Sequence, residues 1–291
     1  MITVMKNIVI VGHVCIDQNA SENSSYTAAG SPAMFISTIY QQFKDVNVNI
    51  IASYGNDFEE YKGTANLFPK EANSDRTLVY KNETKNGRRS QQALNREQSV
   101  PVKLNEELLP IIQEADIIFL APILPNYPKE YLEKIFRSKK EGSLVILLPQ
   151  GYFRDFDGQD NVIKREFNES TELLPLVDIV IVSEYDADNT EELVKGWVRD
   201  SNLVAIMTLG ERGAAIISKE GKKIIPTEPL IEDNIIDSIG AGDIFSAAFA
   251  YEYLNTKDVV KAVSFANQIA RQSLLFKTDE IKINLDKVNR I

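Results

Sequence analysis

The strongest chemical signal in the sequence is the segment DSIGAGD, which spans residues 237–243 directly before an apolar helix. Gly240 and Gly242, on either side of Ala241, let the backbone approach a ligand closely. Amides at a helix N-terminus lack intrahelical partners, and the helix dipole favours an anion beside them. Asp243 lies in the first turn, where its carboxylate can take a proton from an attacking hydroxyl while the amides stabilise charge on phosphate oxygens. The segment therefore predicts a base beside an anion-binding turn.

A glycine-rich turn followed by an ordinary first-turn acid is the structural alternative for the same residues. With average residue usage, a pattern this constrained arises by chance in such a chain with odds on the order of 10⁻⁴ or less. The functional interpretation is therefore favoured.

Alternating strand-like and helix-like segments must position this turn. Continuous apolar runs, typical of buried parallel strands, occur at residues 7–12, 46–52, 117–121, 144–148, 179–182 and 203–207. Amphipathic segments of helix length lie between them at residues 31–43, 106–114, 129–137 and 188–199. Strand alternating with helix predicts an α/β fold with a doubly wound, mainly parallel sheet flanked by helices.

The C-terminal part departs from this alternation. Residues 214–218 and 222–226 flank the pair Glu220-Gly221 and predict a β-hairpin. Two long helices follow at about residues 241–255 and 257–276, so the first of them begins inside DSIGAGD.

Two stretches, residues 15–26 and 76–102, also break the rhythm by mixing β-forming and polar residues, with a turn signal at Asn86-Gly87. They form either a small β-flap that leaves the main sheet or two surface loops, and the sequence favours neither. A flap would comprise about residues 14–28 and 76–102.

Length and composition predict one large α/β domain over residues 1–291, since 44% of the residues are hydrophobic and 25% are charged. Lys and Arg total 32 against 42 Asp and Glu, and the net charge of −10 disfavours nucleic acid as a partner. Cys15 alone excludes an intrachain disulfide, and with His13 as the lone histidine a Cys/His zinc site lacks ligands. No apolar run is long enough to span a bilayer, and the first one reads as a strand and not as a signal peptide. We therefore expect no membrane partner and a cytoplasmic location.

DSIGAGD resembles the signature D-[ST]-x-G-A-G-D of the ribokinase-like (PfkB) carbohydrate kinases. The resemblance covers nearly the whole chain and is most specific in the C-terminal third. It implies a ribokinase-like fold in which the small flap is a lid over the site. It also implies that Asp243 is the catalytic base and that the amides of Gly240, Ala241 and Gly242 form the anion hole for the transferred phosphoryl group.

The resemblance extends to a donor site. Residues 208–213 (TLGERG) are similar to the T-x-G-x-x-G nucleotide loop of the family, which makes Thr208, Gly210 and Gly213 candidate contacts for ATP phosphates. Asn267 in FANQIA is similar to the Asn of the A-N-A-x-A helix near the adenine, although an exposed polar helix residue would look the same. ATP and Mg²⁺ are the implied cofactors, with a monovalent cation left open.

The segment that the family uses for metal and phosphate handling is altered. Its pattern N-x-x-E corresponds here to residues 183–186 (SEYD), so Ser183 replaces the amide and Asp186 is one methylene shorter than Glu. Asp186 remains the candidate metal residue. Because Mg²⁺ is often held mostly through substrate phosphates, the change is compatible with activity.

Two N-terminal segments resemble the acceptor site of the family. Residues 12–17 (GHVCID) are similar to the opening strand, whose trailing Asp binds substrate hydroxyls, and the Asp17 carboxylate can accept hydrogen bonds from adjacent hydroxyls of a polyol. The segment AGSPAM matches G-G-x-x-A-N at Gly30 and Ser31, but Ala29 and Met34 replace the first Gly and the sugar-contacting Asn. These departures put ribose and fructose in doubt as substrates.

A third segment points to a subgroup of the family. Residues 148–154 (LPQGYFR) resemble the D-P-Q-G-x-x-R of plant-type myo-inositol kinases, with Leu148 in place of the Asp. The amide of Gln150 and the guanidinium of Arg154 could orient a polyhydroxylated ring or a phosphate. A strand-end turn with a surface arginine is the structural alternative.

The resemblance implies ATP-dependent phosphorylation of a hydroxyl on a small sugar, cyclitol or nucleoside. The alternative is a nucleotide- or sugar-binding protein with weak or no turnover, suggested by the departures at positions 29, 34, 148, 183 and 186. A Rossmann dehydrogenase and a Walker-type kinase are disfavoured, because neither G-x-G-x-x-G after the first strand nor G-x-x-x-x-G-K-[ST] occurs. The family further suggests a homodimer in which the flaps cover each other's sites.

Overall fold

The computed structural model describes residues 5–22, 25–85, 88–230, 234–277, 280–285 and 288. Its strands, in chain order, are β1 (Lys6–Gly12), β2 (Cys15–Ala20), β3 (Ser25–Gly30), β4 (Val46–Ile51), β5 (Leu67–Phe68), β6 (Leu78–Lys85), β7 (Arg88–Leu94), β8 (Ile117–Ala121), β9 (Leu144–Leu147), β10 (Arg154–Phe156), β11 (Val162–Lys164), β12 (Ile179–Ser183), β13 (Val204–Thr208), β14 (Ala214–Ser218) and β15 (Gly221–Ile225). Its helices are α1 (Pro32–Tyr40), α2 (Leu108–Gln113), α3 (Lys129–Ser138), α4 (Ser170–Leu173), α5 (Thr190–Asp200), α6 (Ala241–Thr256) and α7 (Val259–Ser273).

A nine-stranded sheet has the order β15-β14-β13-β12-β9-β8-β1-β4-β5. Every neighbouring pair from β5 to β13 is parallel, and β14 and β15 extend the sheet as antiparallel strands. All six apolar runs predicted as strands lie in the parallel part, and the predicted hairpin forms β14 and β15. The doubly wound α/β prediction is confirmed.

Helices cover both faces of this sheet. Along β1, Ile8 and Ile10 pack in the layer that contains α1, α6 and α7, whereas Val9 and Val11 pack in the layer that contains α2, α3 and α5. Because both faces are buried, the strands have continuous apolar runs instead of alternating ones. No helix among the described residues combines the length and the apolar composition needed to cross a bilayer.

Of the two alternatives predicted for residues 15–26 and 76–102, the structure contains the small β-flap and not two surface loops. Strands β2, β3, β6 and β7 form a separate four-stranded sheet, here called the lid sheet, with the order β3-β2-β6-β7. The two hairpins β2–β3 and β6–β7 are antiparallel, and a parallel β2–β6 ladder joins them. Cys15, Asp17 and Asn19 on one face of β2 are buried, whereas Gln18 and Ala20 on the other face are exposed. The predicted Asn86-Gly87 turn lies outside the described residues.

The hairpin β10–β11 was not predicted from the sequence. Its three-residue strands pair Arg154 with Lys164 and Phe156 with Val162, and Asn161 bridges to Gln92 of β7. The hairpin therefore continues the turn after β9 to the β7 edge of the lid sheet, and it begins at a predicted site residue.

Candidate active site

The turn before α6 is built around a glycine in a left-handed conformation. Gly240 has φ +74°, and a Cβ there would lie 2.7 Å from the ring of Phe35. Its carbonyl accepts the amide of Ile244 at 2.9 Å, the first bond of the helix. A side chain at position 240 would therefore disturb both the turn and its packing on α1.

The open amides of this turn are those of Gly242 and Asp243. The Ala241 amide already donates to the Ser238 carbonyl at 3.3 Å. The Gly242 and Asp243 amides have no hydrogen-bond acceptor among the described residues, and a Cβ on Gly242 would meet nothing within 4 Å. Two donors at the N-terminus of α6 thus remain available to an anion.

Asp243 is the last of a series of hydrogen-bonded polar side chains that also contains Gln150, Arg154 and Tyr80, here called the Asp243 cluster. Gln150 Nε2 lies 3.5 Å from Asp243 Oδ1, and Arg154 donates to Gln150 Oε1 at 2.9 Å and to the Tyr80 hydroxyl at 3.2 Å. The Tyr80 hydroxyl in turn donates to the Ile123 carbonyl at 2.8 Å. The arginine therefore orients the Gln150 amide so that its NH₂ group points to the carboxylate.

Burial raises the pKa of Asp243 from its ordinary value of 3.8 to about 7. The Arg154 guanidinium opposes this shift, and the carboxylates of Asp186 and Asp17 add to it. A carboxylate whose pKa lies near neutrality suits general-base catalysis, because it is partly ionised yet basic enough to accept a proton.

Asp17 and Gly30 are diagonal neighbours across the β2–β3 hairpin of the lid sheet. A Cβ on Gly30 would lie 2.2 Å from the Asp17 carboxyl, so only glycine leaves room for that side chain. The Cys15 thiol donates to Asp17 Oδ1 at 3.4 Å, and burial, followed by Asp17, raises the pKa of this thiol. Ser31 is engaged elsewhere, because its hydroxyl accepts the Met34 amide at 3.4 Å and caps α1.

The loop predicted to bind ATP phosphates, residues 208–213, begins at the carboxyl end of β13, beside the carboxyl end of β12. The Thr208 hydroxyl donates to the Val182 carbonyl at 3.3 Å. Gly210 has φ +57° and faces open space, whereas a Cβ on Gly213, with φ +91°, would meet the Ile225 carbonyl at 2.3 Å. Ligands of open α/β sheets bind at this edge.

Asn267 has a structural partner in this structure. Its Nδ2 donates to the Ile225 carbonyl at 3.0 Å and to the Pro226 carbonyl at 3.4 Å, which ties α7 to the end of β15. The structure does not bring Asn267 to the Asp243 cluster.

Asp186 borders the cluster after β12. Its Oδ2 accepts the Ser183 amide at 2.8 Å, and burial raises its pKa, although that bond and Arg154 act in the opposite direction. No group of three potential protein ligands for a metal occurs in the part of the chain that the structure describes. One carboxylate near two open helix amides fits Mg²⁺ held chiefly by phosphate oxygens and water.

Both ring nitrogens of His13 have structural partners. Its Nδ1 accepts the Ile123 amide at 3.1 Å and its Nε2 lies 3.0 Å from Asn126 Oδ1. Burial lowers the pKa of His13 to about 3, so the ring is neutral at ordinary pH.

A cavity of about 620 Å³ lies at the outer halves of the lid strands and not at the Asp243 cluster. Its lining is polar and includes Gln18, Thr27, Lys81 and Gln92, but none of the site residues predicted from the sequence. Neither Asp243 nor the open amides of Gly242 and Asp243 line this cavity.

Neither the Tyr80 contact with Arg154 nor the Cys15 contact with Asp17 was predicted from the sequence. Tyr80 pairs with Asp17 in the β2–β6 ladder, and no sequence signal gives the register of strands so far apart. The contact between Cys15 and Asp17 could have been predicted, because residues two apart in a strand lie on the same face.

Residues 5–278 match the pfkB family of carbohydrate kinases. A ribokinase of Lactococcus lactis is 28% identical over 191 residues, which cover 57% of this chain and 60% of that protein. The chain spans less than two thirds of the length of the curated relatives it matches.

Solved structures share the fold at low sequence identity. A pyrophosphate-dependent kinase of the ribokinase family, complexed with a pyrophosphate analog and myo-inositol, has a TM-score of 0.75 at 16% identity and covers 92% of this chain and 94% of its own. Arabidopsis thaliana ribokinase, complexed with ribose and ATP, has a TM-score of 0.70 at 17% identity and covers 94% of each chain. With a ribokinase-like fold and a family match over residues 5–278, the chain belongs to the pfkB family of carbohydrate kinases, which are phosphotransferases acting on hydroxyl groups.

Proposed function

We propose that this chain transfers a phosphoryl group from ATP to a hydroxyl of a small sugar, cyclitol or nucleoside. Asp243 takes the proton of the acceptor hydroxyl as its oxygen attacks the terminal phosphorus, and the bond from that phosphorus to the bridging oxygen of the donor breaks. The observation that carries this proposal is a carboxylate with a pKa near 7 beside two open amides of the same helix turn.

The anion hole in this proposal consists chiefly of the Gly242 and Asp243 amides. Gly240 supplies the left-handed turn, and the amide of Ala241 contributes only after leaving the Ser238 carbonyl. Fixed donors of this kind stabilise charge without reorganisation during the reaction.

The acceptor site in this proposal lies between the lid sheet and Asp243. Asp17 accepts hydrogen bonds from substrate hydroxyls, with Gly30 leaving room for its carboxylate and Ser31 holding the start of α1 in place. Gln150 and Arg154 serve a second purpose besides substrate contact, because they also hold Asp243.

The donor site in this proposal follows β13. Thr208, Gly210 and Gly213 shape the loop for the ATP phosphates, and Asn267 holds β15 beside it. Mg²⁺ would bind between the donor phosphates and Asp186, where it would neutralise phosphate charge. Because one structural neighbour is pyrophosphate-dependent, pyrophosphate belongs among the donors to be tested.

The test combines donors, acceptors and two matched variants. Purified protein is incubated with Mg·ATP or Mg·pyrophosphate and a panel of cyclitols, sugars and nucleosides, and the phosphorylated acceptor is measured. Asp243→Asn should lower kcat by a factor of about 10²–10⁴, while donor affinity changes little. Asp258→Asn, the same change at the N-cap of α7, serves as the control.

Clear nucleotide binding without phosphorylation of any acceptor would favour a binding protein on this scaffold instead. Near wild-type turnover in Asp243→Asn would remove that residue from the role of base.

Residues 1–291 form one domain, with lid segments at about 14–28 and 76–102, and the protein acts in the cytoplasm without nucleic acid or membrane partners. Two copies associate through their lid sheets, where the polar cavity of about 620 Å³ offers a surface. Sedimentation at several concentrations tests the dimer.

A further inference from the structure

A hydrogen bond connects the lid sheet to residues 237–240 before α6, here called the catalytic turn, across 211 residues of chain. The Tyr26 hydroxyl, on the edge strand β3, donates to Asp237 Oδ2 at 2.8 Å. Asp237 is the first residue of DSIGAGD, and its Oδ1 accepts the Ile239 amide at 2.9 Å. One carboxylate therefore joins the lid edge to the turn that leads into Gly240.

The opposite edge of the lid sheet is held differently. On β7, the Ala93 amide donates to the Asp160 carbonyl at 3.0 Å, and Gln92 Nε2 donates to the Gln159 carbonyl at 3.2 Å. Arg96, just beyond β7, also pairs with Asp160. These bonds fix β7 to the β10–β11 hairpin, so movement of the lid sheet about that edge would displace β3 most.

We infer that Tyr26 is a positioning residue that holds the lid edge closed on the catalytic turn during phosphoryl transfer. The inference rests on the proposed function. While the bond to Asp237 persists, the β3 edge stays joined to the segment that leads into α6, and the acceptor hydroxyl is the nucleophile that reaches the donor phosphorus. When it breaks, water replaces the acceptor. The water oxygen bonds to that phosphorus as Asp243 takes one of its protons, the bond to the bridging oxygen breaks, and the donor leaves as the shortened phosphate while inorganic phosphate is released.

Tyr26→Phe removes the hydroxyl and keeps the ring. We expect the ratio of inorganic phosphate release to acceptor phosphorylation to rise about tenfold, because a hydrogen bond to a carboxylate is lost at the lid edge. Tyr131→Phe is the matched control, since the Tyr131 hydroxyl donates at 2.7 Å to the Val102 carbonyl away from the site. A ratio equal to wild type in Tyr26→Phe, or an equal rise in Tyr131→Phe, would overturn the inference.

Hydrogen–deuterium exchange provides a readout that does not depend on turnover. In Tyr26→Phe the amides of residues 25–30 should exchange about tenfold faster than in wild type, while those of β8 stay unchanged. If no acceptor is phosphorylated, the proposed function fails, but this measurement still tests whether the Tyr26–Asp237 hydrogen bond holds the edge of the lid sheet. Unchanged exchange at residues 25–30 would refute it.

Discussion

Asp243→Asn should stabilise the fold while it removes activity, and the gain in stability should depend on pH. The pKa of Asp243 is raised from 3.8 in an exposed chain to about 7 in the folded protein. Above pH 3.8 the unfolded chain has lost this proton while the folded protein still holds it, so stability falls as pH rises and levels off above pH 7. Asparagine carries no charge in either state and escapes this loss.

The magnitude follows from the two pKa values, 3.8 and about 7. At 1.36 kcal/mol for each pKa unit, ionisation of Asp243 destabilises the fold by about 4 kcal/mol at pH 8 and by about 1.6 kcal/mol at pH 5. Partial exposure of the carboxyl reduces both values through solvent screening. The diagnostic quantity is therefore the difference between the free energies at pH 8 and pH 5. It corresponds to a rise in Tm of Asp243→Asn, relative to wild type, that is larger by about 5 °C at pH 8 than at pH 5.

Differential scanning fluorimetry or chemical denaturation at pH 5 and pH 8 measures this difference. Asp258→Asn controls for general effects of the substitution, because its carboxylate caps α7 at a partly exposed position. An equal gain for Asp243→Asn at both pH values, or a loss of stability at pH 8, would contradict the argument that burial holds this carboxyl near neutrality.

Three other substitutions test neighbouring parts of the site. Arg154→Met removes the cation that lowers the pKa of Asp243 and should shift the acidic limb of the kcat profile upward by about one pH unit, as measured by initial rates. Gly240→Ala should destabilise the fold by about 3 kcal/mol in chemical denaturation, because the left-handed backbone is strained and the new methyl group meets an aromatic ring at 2.7 Å. Gly30→Ala should displace the Asp17 carboxyl and lower kcat/KM for the acceptor about 100-fold, while the KM for the donor changes little.

The parallel core could be predicted from the sequence because its strands are buried on both faces. Residues 7–12 and 203–207 have the continuous apolar runs that such burial requires, and β1 and β13 include most of them. By contrast, β10 and β11 have three residues each and are held by their neighbours, so no periodicity could indicate them.

The candidate site was predictable where a short segment carries its own chemistry. DSIGAGD contains the turn, the open amides and Asp243 within seven residues. The residues around it come from distant parts of the chain: Tyr80 reaches Arg154 only through the register of the β2–β6 ladder. The sequence also left the partners of Asn267 undetermined, because a helix position does not show which carbonyls lie opposite it.

The lid sheet has a consequence for the order of folding. Its two hairpins meet through the β2–β6 ladder, where Asn19 and Asn82 pair although they are 63 residues apart. A lone hairpin is marginal in water, and the chain between the two contains α1, β4 and β5, whose side chains pack in the core of the main sheet. We therefore expect the core to assemble before the β2–β6 ladder closes, and the lid sheet to be among the first parts of the fold to open.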